Sequence, residues 1–341
     1  MRGDTRSNQT TTRPGRRVHG RAAGVLAALC LVGAAGQAAA APGPDAGSSS
    51  EAPAPVTWQA DLSKVGGDDV NVHYADGALK LRAKDFRPAS GGTGSGYGSQ
   101  VLDVHRLDHA VNRVRASVDA DVPKGSRIVV DVRGRSGDGA WTEWREAGRT
   151  AALLPHAVDQ IQVRTTFEDA SGRAAVHGVR LTADHVRQAR SAAPKAAFQA
   201  QVFATREGLV GGTTANGHVI VENDHFVALP SRRGLSPNNS DEYSVEVCGP
   251  ARCETAPVWD VGPWNIADDY WNPSDQRENF QDLAQGMPEA QAAYETGYNG
   301  GLDGSGRKVL NPAGIDLADG TFYNIGLNDN GWVTVTYLWT G

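Results

Sequence analysis

The chain has 341 residues, of which 40% are hydrophobic, and a formal net charge of −6 at pH 7. No stretch approaches the roughly 20 apolar residues that a membrane-spanning helix needs, so the sequence does not predict an integral membrane protein. Residues 1–41 contain six arginines and one aspartate, which leaves the remainder of the chain with a net charge of −11. This acidity argues against a nucleic-acid partner and against a strongly anionic one.

The N-terminal segment has the features of a secretory signal. Arg16 and Arg17 precede an apolar run over residues 22–35, and three alanines end this region. This order predicts a signal peptide over residues 1–40 and a secreted protein, and the paired arginines suggest the twin-arginine route. A disordered basic tail is the alternative. Residues 41–55 are rich in alanine, proline, glycine and serine, and we expect them to form a flexible linker.

The next 130 residues alternate short β-like runs with turn residues. These runs fall at 78–81, 111–118, 127–132, 160–166 and 176–181. Alternating strands at this spacing predict an antiparallel β-sandwich domain over residues 56–183, followed by a linker over residues 184–200.

One aromatic pair stands out within this predicted sandwich. Trp141 and Trp144 follow a turn, where tryptophan rings either stack on a sugar or pack together in the interior. The sequence leaves both alternatives open.

The composition changes beyond residue 198. Residues 198–341 hold 19 acidic and 7 basic residues, with five of the eight tryptophans and six of the eight tyrosines. Flat rings interleaved with carboxylates suit a groove for a neutral polysaccharide, because sugar faces stack on rings and hydroxyls donate to fixed acceptors. The alternative is that these rings fill a barrel core. The candidate sugar-binding residues are Trp259, Trp264, Tyr270, Trp271 and Trp332.

The cysteines predict one disulfide. Cys30 lies in the predicted signal, so the secreted chain retains Cys248 and Cys253, which flank a turn-forming tetrapeptide. In an oxidising compartment we expect these two residues to form a disulfide. Two thiols without a nearby histidine pair do not make a zinc site, so no metal is expected.

Four short motifs in order resemble a known family. Residues 214–217 read T-A-N-G, 226–230 read F-V-A-L-P, 258–264 contain D-V-G-P-W, and 314–318 read G-I-D-L-A. This order resembles the double-psi β-barrel of rare lipoprotein A-like proteins, expansins, barwins and small endoglucanases. The resemblance covers about residues 203–341 and does not extend to the first domain. It implies a six-stranded barrel, here over residues 201–341, with a groove that acts on cell-wall glycans.

The resemblance also implies roles for individual residues. Asp316 matches the aspartate of the I-D-L-S motif, which is the general acid in hydrolytic members, and Asp260 matches the aspartate of the D-x-G-P loop. His218 stands where transglycosylase-like members have glutamate, and Phe226 stands where they have histidine, with His225 beside it. We therefore take His218 and His225 as candidate substrate-binding residues. Backbone capping is the alternative role for both aspartates.

A long insertion separates the third and fourth motifs. Within it, residues 288–297 predict a short helix that begins at proline and ends at glycine. We expect the insertion to form a wall or lid of the groove.

These features define the predicted fold and function. The chain is expected to be all-β, with an antiparallel β-sandwich followed by a six-stranded double-psi β-barrel that carries a loop and helix insertion. We predict a secreted, monomeric protein that binds cell-wall polysaccharide. Its predicted activity is glycan cleavage of the glycoside hydrolase or lytic transglycosylase type, without a cofactor. The alternatives are a non-catalytic, expansin-like wall-loosening or binding protein, and a secreted protein-binding barrel of the inhibitor or defence type.

Overall fold

The computed structural model describes residues 53–91, 94–188 and 196–341. The predicted signal peptide and most of the first linker lie outside this range. The strands of the first part are β1 (Val56–Gln59), β2 (Val72–Ala75), β3 (Ala78–Leu81), β4 (Tyr97–Val101), β5 (His105–Asp121), β6 (Arg127–Arg135), β7 (Arg145–Glu146), β8 (Ala152–Glu168) and β9 (Ala175–Asp184). Each predicted β-like run lies within one of these strands.

The nine strands form one antiparallel sheet in the order β2-β3-β9-β5-β8-β6-β7, with β1 paired to β9 and β4 paired to β8. The strands β5 and β8 are 17 residues long, and each changes partners along its length. The first half of β8 pairs with β5 and its second half pairs with β4 and β6. Valine, leucine and isoleucine side chains from most of these strands meet in one buried core.

The second part is a closed barrel. Its elements are β10 (Phe198–Glu207), β11 (Val227–Leu229), β12 (Ser244–Cys248), β13 (Cys253–Val261), α1 (Glu289–Thr296), β14 (Ala313–Ala318), α2 (Asp319–Asn324) and β15 (Gly331–Tyr337). The six strands close in the order β10-β14-β11-β13-β12-β15. Two of the pairings, β10 with β14 and β11 with β13, are parallel and the rest are antiparallel. The prediction of an all-β chain that ends in a six-stranded barrel is confirmed, and this mixed barrel is compatible with the double-psi type.

Two local predictions in the barrel are also confirmed. The helix α1 follows Pro288 and ends at Gly297, whose left-handed conformation (φ 72°) suits glycine. Cys248 and Cys253 form a disulfide that closes the turn between the antiparallel strands β12 and β13.

The segment between β6 and β8 packs into the barrel. Trp144 is fully buried in the barrel core and donates from its indole nitrogen to the carbonyl of Leu235 at 3.1 Å. The guanidinium of Arg133 lies 4.4 Å from the ring centre of Trp141 and 4.5 Å from that of Trp144. Both tryptophans therefore have the packing role that the sequence left open. No helix within residues 53–91, 94–188 and 196–341 has the length and apolar character to cross a membrane.

Candidate functional site

Four neighbouring barrel strands bring the two predicted aspartates close together. Asp316 of β14 pairs with Thr205 of β10 on one side and with Ala228 of β11 on the other. Ala228 pairs in turn with Asp260 of β13, next to a β-bulge. The small side chain of Ala228 thus separates the two aspartates. The strand pairing itself assembles the site from motifs that are far apart in the sequence.

Asp316 lies in the wall of an open cavity. Its exposed fraction is 8%, and its carboxylate accepts a hydrogen bond from the hydroxyl of Thr205. Burial, and to a lesser extent the charge of Asp260, raise the pKa of Asp316 to about 7, although the Thr205 hydrogen bond opposes this. The cavity has a volume of about 410 Å³, and Arg206 and Asn330 also line it. Asp316 is therefore a carboxyl group that exchanges protons near neutral pH and faces a space that a ligand can enter.

Asp260 is held by the backbone. One oxygen accepts from the amides of Ala215 at 2.7 Å and Val261 at 2.8 Å, and the other accepts from the amide of Ser90 at 3.0 Å. The side chain is fully buried, and burial raises its pKa although these hydrogen bonds oppose the shift. Both oxygens are therefore occupied, which is the capping role that the sequence offered as the alternative for this residue.

Glu207, which the sequence analysis missed, is the third carboxyl group of the site. It ends β10, lines the same cavity and is only 3% exposed. Neither of its carboxyl oxygens has a conventional hydrogen-bond partner among the described residues. Burial, together with the nearby charges of Asp260 and Asp316, raises the pKa of Glu207 well above its ordinary value. Glu207 therefore holds its proton more tightly than an ordinary glutamate does.

The signal for Glu207 was weak in the sequence. A charged Arg206-Glu207 pair before Gly208 is typical of a solvated strand end. What places Glu207 in the site is the register between β10 and β14. Thr205 is the partner of Asp316, and Glu207 follows Thr205 by two residues on the same strand.

The predicted sugar-binding aromatic residues divide into three groups. Trp332 is 43% exposed and meets the ring of Phe203, its partner across β10 and β15, edge-on at 5.6 Å. Trp259 and Trp264 are half-buried. Tyr270 and Trp271 are 0% and 1% exposed and belong to the barrel core. Because their rings are enclosed by other side chains, these last two residues do not present a face to a ligand, which corrects their predicted role.

The two predicted histidines each contact a carboxylate other than those of the site. Nε2 of His218 lies 2.7 Å from Asp224, and the His218 ring packs 4.7 Å from that of Trp259. Nδ1 of His225 lies 2.6 Å from the carboxylate of Glu254, which belongs to β13. Neither histidine lines the Asp316 cavity.

An exposed aromatic residue that the sequence analysis did not select lies against a residue of the cavity wall. Tyr323 of α2 is 50% exposed, and the guanidinium of Arg206 lies 5.6 Å from its ring centre. Arg206 itself lines the cavity and pairs with Asp319 at 2.8 Å.

Within the described residues, one group of side chains has ligand atoms spaced as for a metal ion: Glu246, Cys248 and Cys253. Because the two sulfur atoms form the disulfide, this group lacks the thiolates that would bind a metal.

Comparisons with protein families divide the chain at the same place as the fold. Residues 56–200 are similar to the family described as the Peptidase C39 N-terminal domain. Residues 198–336 are similar to the family described as a domain of unknown function (DUF8814). No curated protein matches the chain.

Proposed function

We propose that the chain is an exported protein that binds and cleaves a cell-wall polysaccharide on the barrel face around Asp316. The observation that carries the proposal is that Asp316 combines burial and a pKa of about 7 with a position in the wall of an open cavity. A carboxylic acid that keeps its proton near neutral pH is what glycosidic bond cleavage requires of its general acid. The order of the motifs, which resembles that of wall-active double-psi barrels, supports the same function.

The surroundings of Asp316 favour a mechanism with a single acid. An inverting hydrolase needs a second carboxylate with a free oxygen that activates water. Asp260 has both oxygens occupied by backbone amides, and the raised pKa of Glu207 disfavours the ionised form that a base requires. In the lytic transglycosylase type of cleavage, Asp316 donates its proton to the leaving oxygen. A hydroxyl group of the same sugar then attacks the anomeric carbon, and its proton returns to the Asp316 carboxylate.

Residues around the cavity offer contacts for a sugar chain. Asn330 and Arg206 provide polar groups in the cavity wall, and Tyr323 lies against Arg206. Trp332 is two residues from Asn330 and exposes its ring. Exposed rings beside polar side chains suit the apolar faces and hydroxyl groups of a sugar. Export agrees with the disulfide between Cys248 and Cys253, because such bonds persist in oxidising compartments.

The test is incubation with purified peptidoglycan and with cellulose, followed by mass spectrometry of soluble sugars between pH 4 and pH 7. We expect release by the wild type and by the control Asp241→Asn, an exposed aspartate, and no release by Asp316→Asn. Single-acid cleavage gives products that are lighter by one water than hydrolysis products. Absence of release at every pH would overturn the catalytic form of the proposal.

A second candidate is binding of the polysaccharide without cleavage. Complete engagement of Asp260 by backbone amides favours it, since Asp260 then has no free oxygen with which to act as the catalytic partner of Asp316. This candidate predicts that retention on insoluble glycan survives Asp316→Asn and is lost in Trp332→Ala. Retention that neither variant changes would overturn this candidate and would favour a protein-binding barrel.

A further inference from the structure

A second cavity lies between the sheet and the insertion of the barrel, away from Asp316. It has a volume of about 1170 Å³ and is lined on one side by β5, β6 and residues 145–155. Residues 275–279 and Gln281 line the other side. We call this cavity the interdomain groove. Asp316 and the other cavity residues of the candidate site are not among its lining residues.

The groove borders a strand edge that the described residues leave almost unpaired. The pairing of β5 with β8 ends at Val114, whereas β5 continues to Asp121. Beyond Val114, this edge of β5 makes one backbone hydrogen bond to the described residues, from the amide of Ala116 to the carbonyl of Ala147. An unpaired edge of this kind is a template for an extended peptide.

Val118 presents its backbone to the groove side of that edge. It pairs with Val179 of β9, but the carbonyl of Val179 accepts from the amide of Ala60 on the opposite side. In an antiparallel pair the two residues either exchange both hydrogen bonds or exchange neither. The amide and carbonyl of Val118 therefore point away from β9. Its side chain lines the groove and is 36% exposed.

The groove also presents arginines that no close carboxylate neutralises, although the barrel sequence is strongly acidic. Five arginines and three carboxylates line it, and buried aspartates outside the lining pair with Arg233 and Arg277. Arg145 is half-buried and has no close carboxylate partner. Its nearest carboxylate is Glu143 at 3.8 Å, and Glu143 already accepts from Trp271, Trp339 and Asn272.

Burial explains why Arg145 favours an anionic ligand. Its Nε is buried without a hydrogen-bond partner among the described residues, and burial lowers its pKa. Since a buried cation is stabilised by a close anion, a carboxylate in the groove would satisfy it. Arg149 is exposed at the groove and offers a second cation.

We propose that the interdomain groove binds an extended acidic peptide, which adds as a strand to the free edge of β5 and places its carboxylates on Arg145 and Arg149. The backbone edge selects a polypeptide rather than a sugar polymer, because it offers amide and carbonyl groups at the spacing of a strand. The arginines select acidic side chains. This inference does not depend on the proposed function of the barrel.

The test is fluorescence anisotropy with a labelled, end-blocked peptide of alternating glutamate and valine, and with its glutamine–valine counterpart. We expect the glutamate peptide to bind the full chain at least about tenfold more tightly, with affinity falling as salt rises. Arg149→Gln should weaken binding about threefold, as for an exposed ion pair. The control Arg180→Gln, an exposed arginine of β9 outside the groove, should have no effect.

A second variant tests strand addition itself. Val118→Pro removes an amide that has no partner among the described residues, so the fold should tolerate it, which the urea midpoint checks. We expect this variant to weaken binding of both peptides. Equal affinity for the two peptides, binding that Val118→Pro leaves unchanged, or equal binding of a uronic acid oligomer would overturn the proposal.

Discussion

The amide of Ser90, in the sheet part of the chain, donates a hydrogen bond of 3.0 Å to the carboxylate of Asp260 in the barrel. The hydroxyl of Ser90 also donates to the carbonyl of Val261. A segment of the first part therefore completes the environment of an aspartate in the second part. Asp260 in turn acts on Glu207 and Asp316, because its charge helps to raise the pKa of each.

Replacing Ser90 tests this link between the two parts. Ser90→Pro removes the amide that donates to Asp260, and a hydrogen bond to a charged group contributes about 1.5–3 kcal/mol. We expect a loss of that size in the free energy of unfolding, measured by urea denaturation at pH 7. Ser90→Ala is the matched control, since it keeps the amide and removes only the hydroxyl. Equal losses in the two variants would show that the amide is unimportant.

The raised pKa of Asp316 predicts a pH-dependent stability. Its folded pKa of about 7 lies above the ordinary aspartate value of 3.8, so the folded state binds the proton more tightly than the unfolded state. This contribution is fully present below pH 4 and is lost as the pH rises to 7. Over that interval the loss is at most about 4 kcal/mol.

Other groups with a raised pKa, such as Asp268, also make the stability depend on pH. The variant Asp316→Asn separates the contribution of Asp316 from theirs. Asparagine does not titrate and still accepts the hydrogen bond from Thr205. We expect the free energy of unfolding of the variant to fall less between pH 4 and pH 7 than that of the wild type, as measured by urea denaturation at several pH values. Parallel curves for the two proteins would contradict the prediction.

Two tryptophans that the sequence treated alike should respond differently to truncation. Trp271 is 1% exposed and packs against Tyr337 at 5.3 Å, so Trp271→Ala should cost about 3–5 kcal/mol of stability. Trp332 is 43% exposed, and Trp332→Ala should change the free energy of unfolding by less than about 1 kcal/mol. Thermal or urea unfolding of the two variants measures the contrast. Similar losses in the two variants would contradict the prediction.

The same pair shows how far the sequence could define the site. Trp271 follows two aspartates and a tyrosine, and nothing in that pattern distinguishes a ring that stacks on a sugar from one that fills a core. Asp268 and Asp269 are themselves buried and bonded to Arg277 and Arg233, so the acidity of this segment serves internal ion pairs. Burial of this kind depends on residues distant in sequence, which a local pattern does not record.

Strands and the disulfide were more accessible to prediction, because their signals are local. Alternating apolar residues between turn signals identified the strands, and two cysteines around a tight turn identified the bond. The role of Glu207, in contrast, has no local signal in the sequence. Its burial results from the register between β10 and β14 and from the position of Asp260 two strands further on.

The disulfide predicts a measurable effect of reduction. Cys248 and Cys253 are five residues apart, so their bond closes a small loop and restricts the unfolded chain modestly. Loop-closure entropy for this size corresponds to about 2 kcal/mol of stability. The double variant Cys248→Ser, Cys253→Ser should lower the free energy of unfolding by this amount, and a reducing agent should lower that of the wild type equally while leaving the variant unchanged. Urea denaturation with and without the reductant measures both effects, and a response of the variant to the reductant would contradict the assignment.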